Sequence, residues 1–240
     1  MKTHFELVGE FHTVFDYPVR TDEYLNVFKE NPKLLQSRLA FIREERDEFV
    51  DALEKSDMVE MADALCDLIY FAHGSGQCLG IVVDDELKTA GHESIATTSC
   101  DTEVDIEILK DREAINSRLN TINSHIDCFA TAINEECFED ITDSLTLIII
   151  ATYQLGYYLH FDMDQMFREV HRSNMTKVCH SMQDAEESLK GYLEEGRYTK
   201  PVIRVKEPYF LIYDEDLNKI LKSLKWEYPN LRQFMGKNFK

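Results

Sequence analysis

Apolar residues recur along much of this chain at spacings of three, four and seven, and a helix turns that spacing into one continuous face. Leu35, Leu39, Ile42, Phe49 and Leu53 form one such stripe, and Val59, Ala62, Leu65, Ile69 and Ala72 form the next. Lys55-Ser56-Asp57 is a short polar break between them, with Asp57 or Ser56 placed to cap the second helix, and Pro32 stands where the first helix can begin. The pair predicts an antiparallel helical hairpin. A second pair follows: Ile115, Leu119, Ile122, Ile126, Phe129 and Ile133 on one helix, then Ile141 to Leu159 on the next, with Asn134-Glu135-Glu136-Cys137 as the break. Shifting the numbering by 80 lays Met61-Ala62-Asp63-Ala64-Leu65 on Ile141-Thr142-Asp143-Ser144-Leu145, and Leu53 on Ile133. Identity is thin, but apolar, small and acidic positions coincide, as in a diverged internal duplication.

The rest of the chain frames these hairpins. A first helix is expected from about Thr3 to Phe15, ending before Pro18. Residues 82 to about 108 are acidic, contain Thr and Ser, lack helical periodicity and read as a linker or loop. A helix over Met163–Met175 and a polar helix near Gln183–Glu195 come next. Val202–Val205, Tyr209–Tyr213 and Lys219–Leu221 are short β-rich runs, with Glu207-Pro208 and Asp214–Asn218 as turns. The expected architecture is mainly α: a pseudo-dimeric bundle of two helical hairpins with a small C-terminal antiparallel β-meander. Its divisions are a first repeat at 1–81, the linker at 82–108, a degenerate second repeat at 109–180 and a helix-plus-meander tail at 181–240.

Charge narrows the function classes. Forty-five Asp and Glu against 26 Lys and Arg leave a net charge of −19, a field that repels nucleic-acid backbones and anionic membranes. A polyphosphate ligand stays open, because divalent cations invert the sign locally. Met1–Glu10 lacks the basic and apolar regions of a secretory signal, and Leu145–Leu159 is too short and too interrupted to cross a bilayer. Six cysteines without CxxC spacing read as free thiols in a reducing, cytoplasmic setting, and eight histidines without HExxH give no support to a zinc site.

The chemistry concentrates in the first hairpin. Glu44, Glu45 and Glu48 share a face of one helix, and Glu60, Asp63 and Asp67 share a face of the other. If the chain reverses about Ser56, Glu45 faces Asp67 and Glu48 lies beside Asp63. Like charges so crowded are costly unless protonated or neutralised, and all-oxygen ligation suits hard cations such as Mg²⁺ or Mn²⁺. A solvated acidic face is the plain alternative; the acids adjoin Ile42, Phe49, Ala62 and Leu65 rather than opposing them, which favours the metal site.

Glu44-Glu45-x-x-Glu48 with Glu60-x-x-Asp63 resembles the EExxE…ExxD signature of the all-α nucleoside triphosphate pyrophosphohydrolases, the MazG-like, dimeric dUTPase-like and phosphoribosyl-ATP-pyrophosphohydrolase-like enzymes. Glu10-Phe11-His12, the stretch Ala62–Tyr70, the segment Phe167–Lys177 and Lys219–Ser223 resemble the last of these branches. The resemblance implies Mg²⁺-dependent hydrolysis of a nucleotide between its α- and β-phosphates, giving a monophosphate and pyrophosphate. It implies Glu45, Glu48, Glu60 and Asp63 as metal ligands, Glu44 as a further ligand or the base for the attacking water, and Asn174 and Lys177 as nucleotide contacts. Without it, Asn174 reads equally as a helix C-terminal residue and Lys177 as a solvated charge, while His171, Glu10 and His12 read as helix packing.

Departures from the pattern are informative. Only eleven residues separate Glu48 from Glu60. In the second hairpin Ser124, His125 and Cys128 stand where Glu44, Glu45 and Glu48 would fall, Leu147 replaces Asp67, and only Asp140 and Asp143 keep an acid. One repeat keeps the acids, and the other is followed by the nucleotide-contacting segment. Family members usually assemble from two or more chains; a fused duplication makes that pairing internal, so the expectation is a monomer acting as its own pseudo-dimer, or a further homodimer. Rival readings are hydrolysis of phosphoribosyl-ATP, a nucleotide-binding regulator without turnover, and a scaffold whose acidic face takes a basic partner.

Overall fold

A computed structural model describes residues 1–92, 95, 104–216 and 219–235. Helix α1 spans His4–Val14 and opens on a capping box in which Thr3 and Glu6 satisfy each other's backbone donors. One helical turn, α2 (Val27–Glu30), leads into α3 (Pro32–Lys55), which begins on its proline as expected. Ser56 ends α3 in the left-handed region, and the Asp57 side chain accepts hydrogen bonds from the first amides of α4 (Met58–Leu79). Such a cap is worth about 1 kcal/mol.

The segment from 82 to 108 departs from the irregular linker expected. Val83–Thr89 is a helix, α5, and Ile106–Lys110 forms a 3₁₀ turn. Seven residues hold too few apolar repeats to register as a periodicity, but Val83 and Leu87, four apart, are both buried. Most of the stretch from 93 to 103, with Cys100, lies outside the described residues. Helices α6 (Arg112–Glu135) and α7 (Phe138–Tyr158) form the second hairpin, and α8 (Met163–Met175) and α9 (Met182–Glu195) follow.

The shift of 80 is written into the backbone. Helices α3 and α6 are each 24 residues long and begin and end 80 positions apart. Ser56 and Glu136, both non-glycine, adopt nearly the same left-handed conformation, φ 56° and 54°. The amides of Asp57 and Cys137 bond the carbonyls of Ala52 and Ala132, again 80 apart. The far ends agree too: Gly80 and His160 both have positive φ, and Ile81 and Phe161 donate to the carbonyls of Gly76 and Gly156. Those two glycines serve one purpose, since a Cβ at Gly76 would lie 2.8 Å from Val83 and one at Gly156 would lie 2.4 Å from Met163.

The hairpins pack through α4 and α7, whose apolar faces form the centre of a continuous core. The helices that follow them cross over. Helix α5 leaves α4 but packs on α7, whereas α8 leaves α7 but packs on α4 and α1. Each hairpin is therefore completed by a helix carried by the other. The chain ends in a meander, β1 (Pro201–Lys206), β2 (Tyr209–Asp214) and β3 (Lys219–Leu221), paired antiparallel in that order. Residues 217 and 218 of the expected second turn lie outside the described residues. Past β3, the segment to Leu231 returns across α8 and α9.

Candidate functional site

The crossing of α8 onto α4 decides where the chemistry lies. Helix α4 presents Glu60, Asp63 and Asp67 one turn apart, and α8 ends over them with Ser173, Asn174 and, just beyond its last turn, Lys177. Together with Lys222, Trp226, Tyr228, Pro229 and Leu231 of the returning segment they line a cavity of about 220 Å³. Residues more than a hundred positions apart in sequence thus share one pocket. A larger cavity, about 710 Å³, lies against α7 between Arg118, Tyr153, Tyr157, Tyr158 and His160, but among the described residues no carboxylate lines it. The smaller pocket is the one that brings carboxylates and ammonium groups together among the described residues.

Helix α3 supplies the remaining acids. Glu45 is buried, whereas Glu44 and Glu48 are exposed on the same side of the hairpin as Glu60. Burial first, then the charges of Asp67, Glu48, Glu44 and Asp63, push the Glu45 carboxyl far above the usual carboxylate range. Asp63 is raised by burial and by Asp67, Glu60 and Glu48; Asp67 is raised by burial and by Glu48, while Lys177 and Lys222 pull it back. Glu48 is raised by burial and by Glu44 and Glu60. Asp67 is the leading charge acting on Glu45, and Glu48 is among those acting on Asp63, in keeping with a reversal at Ser56. Among the described residues no three His, Cys, Asp or Glu side chains already converge as a coordination set. The donors are nonetheless all carboxylate oxygens whose mutual charge is under-compensated, which is the chemistry of a hard-cation site.

Lys177 is the nearest cationic side chain that α8 contributes. Burial lowers its pKa, and Asp67 and Asp63 oppose that shift. Asn174 lies in the last turn of α8, so its role as a helix-end residue and its place in the pocket coexist. One turn earlier on α8, His171 Nδ1 lies 3.0 Å from the Tyr70 hydroxyl and His171 Nε2 is 3.9 Å from Glu10. The buried Tyr70–His171 contact ties α8 to α4. His171 is accordingly a packed helix residue, and His12 is turned to the Pro18 carbonyl, away from the pocket.

Some residues of the pocket had no role from the sequence. Asp67 was named only among the converging acids. Lys222 fell in the Lys219–Ser223 stretch, whose family likeness was visible but silent about function. Trp226 and Tyr228 follow the last β-run, where no periodicity points inward. In the second hairpin, Asp140 and Asp143 are exposed, as is Leu147 in the place of Asp67. The helix that completes that hairpin, α5, carries Asp84, Asp85 and Glu86 rather than a counterpart of Asn174 and Lys177.

Five cysteines, Cys66, Cys78, Cys128, Cys137 and Cys179, are free thiols. Among the described residues no helix is long and apolar enough to cross a membrane.

Residues 8–92 match the family model described as phosphoribosyl-ATP pyrophosphohydrolase, a stretch that contains α2 to α5, most of α1 and all six acids. That region is consistent with the MazG-like and phosphoribosyl-ATP-pyrophosphohydrolase-like family and indicates a nucleotide-pyrophosphohydrolase-like function. Over its whole length the chain resembles "Uncharacterized protein L479" of Acanthamoeba polyphaga mimivirus, 29% identical over 243 residues that cover 97% of this chain and 96% of that protein. No solved structure gives a significant match.

Proposed function

We propose, from the phosphoribosyl-ATP-pyrophosphohydrolase-like character of residues 8–92, that this protein is a Mg²⁺-dependent nucleotide pyrophosphohydrolase. It would cleave a nucleoside triphosphate or related nucleotide between the α- and β-phosphates, releasing the monophosphate and pyrophosphate. The observation that carries the reading is the single pocket in which Glu60, Asp63 and Asp67 of the first hairpin meet Asn174 and Lys177 of α8.

Glu45, Glu48, Glu60 and Asp63 would hold Mg²⁺, with Mn²⁺ as a substitute, and Glu44 would be a further ligand or the base that takes a proton from the attacking water. A bound divalent cation neutralises phosphate charge and lowers the pKa of a coordinated water. The chain's own part is orientation. The Tyr70–His171 contact ties the last turns of α8 to α4, and half-buried Lys177, its Nζ 5.9 Å from the centroid of the Phe11 ring, would offer its ammonium to the polyphosphate. Val59, Val170 and Leu231 make part of the pocket wall apolar.

Phosphoribosyl-ATP is the second substrate reading, favoured by the printed description of the matched family. Pyrophosphate release from a panel of nucleoside triphosphates and phosphoribosyl-ATP, with Mg²⁺ and with excess EDTA, tests both. Turnover that persists in EDTA, or no turnover of any member, would sink the proposal.

A further inference from the structure

The pocket contains a second ammonium group, and the protein holds it in an unusual way. Lys2, Lys206 and Lys225 each lie 2.6 Å from a carboxylate, on Glu10, Asp16 and Asp184. Lys222 forms no ion pair among the described residues; instead its Nζ sits 3.4 Å from the centroid of the Trp226 ring and 5.6 Å from that of Tyr228. An aromatic face attracts a cation without neutralising it and without taking its N–H donors. The ammonium is thus positioned but left free to bind an anion.

The segment that carries this cradle has no helix or strand between Leu221 and Leu231, yet it is tied down along its length. Ser223 N donates to the Lys177 carbonyl at 3.2 Å, Glu227 N to Thr176 Oγ1 at 3.0 Å, and Asn230 N to Glu169 at 2.8 Å. Ser173 Oγ donates to the Glu227 carbonyl at 2.7 Å, and Tyr192 donates to the Lys222 carbonyl at 2.8 Å. Irregular backbone fixed by this many contacts to α8 and α9 serves a preformed wall, and that wall faces Asp63 and Asp67 across the pocket.

We propose that Lys222, held over Trp226 and Tyr228, is a second substrate-binding residue that acts with Lys177 on the polyphosphate of the nucleotide. The inference rests on the function proposed above. Two ammonium groups on one side of a small pocket match a ligand with several anionic oxygens better than a single phosphate. Lys222 therefore contributes to choosing a di- or triphosphate over a monophosphate.

Trp226 is the chain's single tryptophan, so its fluorescence reports on this pocket alone. The test titrates inorganic pyrophosphate and, separately, inorganic phosphate into the full chain with Mg²⁺, read by tryptophan fluorescence and checked by calorimetry. The variants are Lys222→Met, Lys222→Arg and, as a control outside the pocket, Lys190→Met. Lys222→Met should weaken pyrophosphate binding about tenfold and phosphate binding by less. Lys222→Arg should stay within about threefold of the wild type, and Lys190→Met should not differ from it. Unchanged pyrophosphate affinity in Lys222→Met, with nucleotide turnover intact in the wild type, would overturn the inference and leave the proposed function standing. Equal losses for the two anions would also overturn it, showing a structural role for the lysine. A wild type that neither binds pyrophosphate nor turns over any nucleotide would remove both.

Discussion

The two hairpins have the same backbone and opposite chemistry. Helices α3 and α4 turn at Ser56, and α6 and α7 turn at Glu136 with the same left-handed geometry and the same hydrogen bonds. The buried stripe is kept position for position: Ile42 and Ile122, Phe49 and Phe129, and Leu65 and Leu145 are all buried. What differs is the set of acidic positions beside that stripe. Glu45 becomes His125, Glu48 becomes Cys128 and Asp67 becomes Leu147. Apolar side chains hold each hairpin together at about 1.5–3 kcal/mol apiece, so they are retained wherever the fold must form. A cluster of like charges costs stability and persists only where something uses it. The crossed helices make this asymmetry workable: α8, the completing helix with Asn174 and Lys177, lies on the hairpin that kept its acids.

The largest effect is expected from removing acids of the first hairpin. Glu48→Gln and Asp63→Asn should each lower pyrophosphate release by at least about 100-fold, since even outer-shell partners of a metal site cost about 10–100-fold. Both variants should fold as stably as the wild type or slightly better, because each relieves crowding that raises its neighbours' pKa values. Steady-state kinetics with thermal melts in EDTA would check both halves. A wild-type rate in either variant would show that the acids are a solvated face.

The next effect down sharpens the crossing of α8. Lys177→Ala deletes a charge-assisted contact worth about 1.5–3 kcal/mol, so nucleotide affinity or turnover should fall about 10- to 150-fold. Asn174→Ala should fall in the same direction by less, since a neutral hydrogen bond is worth about 0.5–1.5 kcal/mol. Metal binding to the free protein, read by calorimetry, should barely change in either. If the two variants bound nucleotide as tightly as the wild type, the shared pocket would not be the substrate site.

Much of this architecture is legible in the sequence. Helix limits followed from the stripes and from Pro32, Asp57 and the shift of 80, and the facing of Glu45 and Asp67 followed from one assumption, reversal at Ser56. The crossing of α5 and α8 was not legible. Periodicity shows that Met166, Phe167 and Val170 need a partner, but nothing in it distinguishes the surface of α4 from that of α7. Helix α5 escaped for lack of length. Lys222 and Trp226 escaped because their positions are set by hydrogen bonds between distant backbones, which leave no spacing in the sequence.

A smaller effect separates the cores. At the shift of 80, His73 corresponds to Tyr153. His73 is buried against Phe5 and Phe167, and among the described residues neither ring nitrogen has a hydrogen-bond partner. Burial, with a small contribution from His4, lowers its pKa to about 3. The unfolded chain therefore takes up a proton near pH 6.5 that the folded protein refuses, so this contribution to stability is intact above that pH and is lost as pH falls toward 3. Urea unfolding at pH 7 and pH 5 should show the wild type losing about 2 kcal/mol more than His73→Leu over that interval. Identical losses would mean that the ring is protonated in the folded state.

The smallest expected effect is the strictest test of the asymmetry. Asp143 occupies in α7 the position that Asp63 occupies in α4 and keeps the same side chain. Its surroundings differ: it is exposed, and its counterparts on α6 are Ser124, His125 and Cys128. A carboxylate without converging partners has nothing to hold a cation, and an exposed substitution away from special contacts moves stability by no more than about 0.5 kcal/mol. Asp143→Asn should therefore leave pyrophosphate release within about twofold of the wild type and the unfolding midpoint nearly unmoved, beside the collapse of activity in Asp63→Asn. Matched losses in the two variants would mean that the second hairpin still takes part in the chemistry, and the division of labour between the repeats would have to be given up.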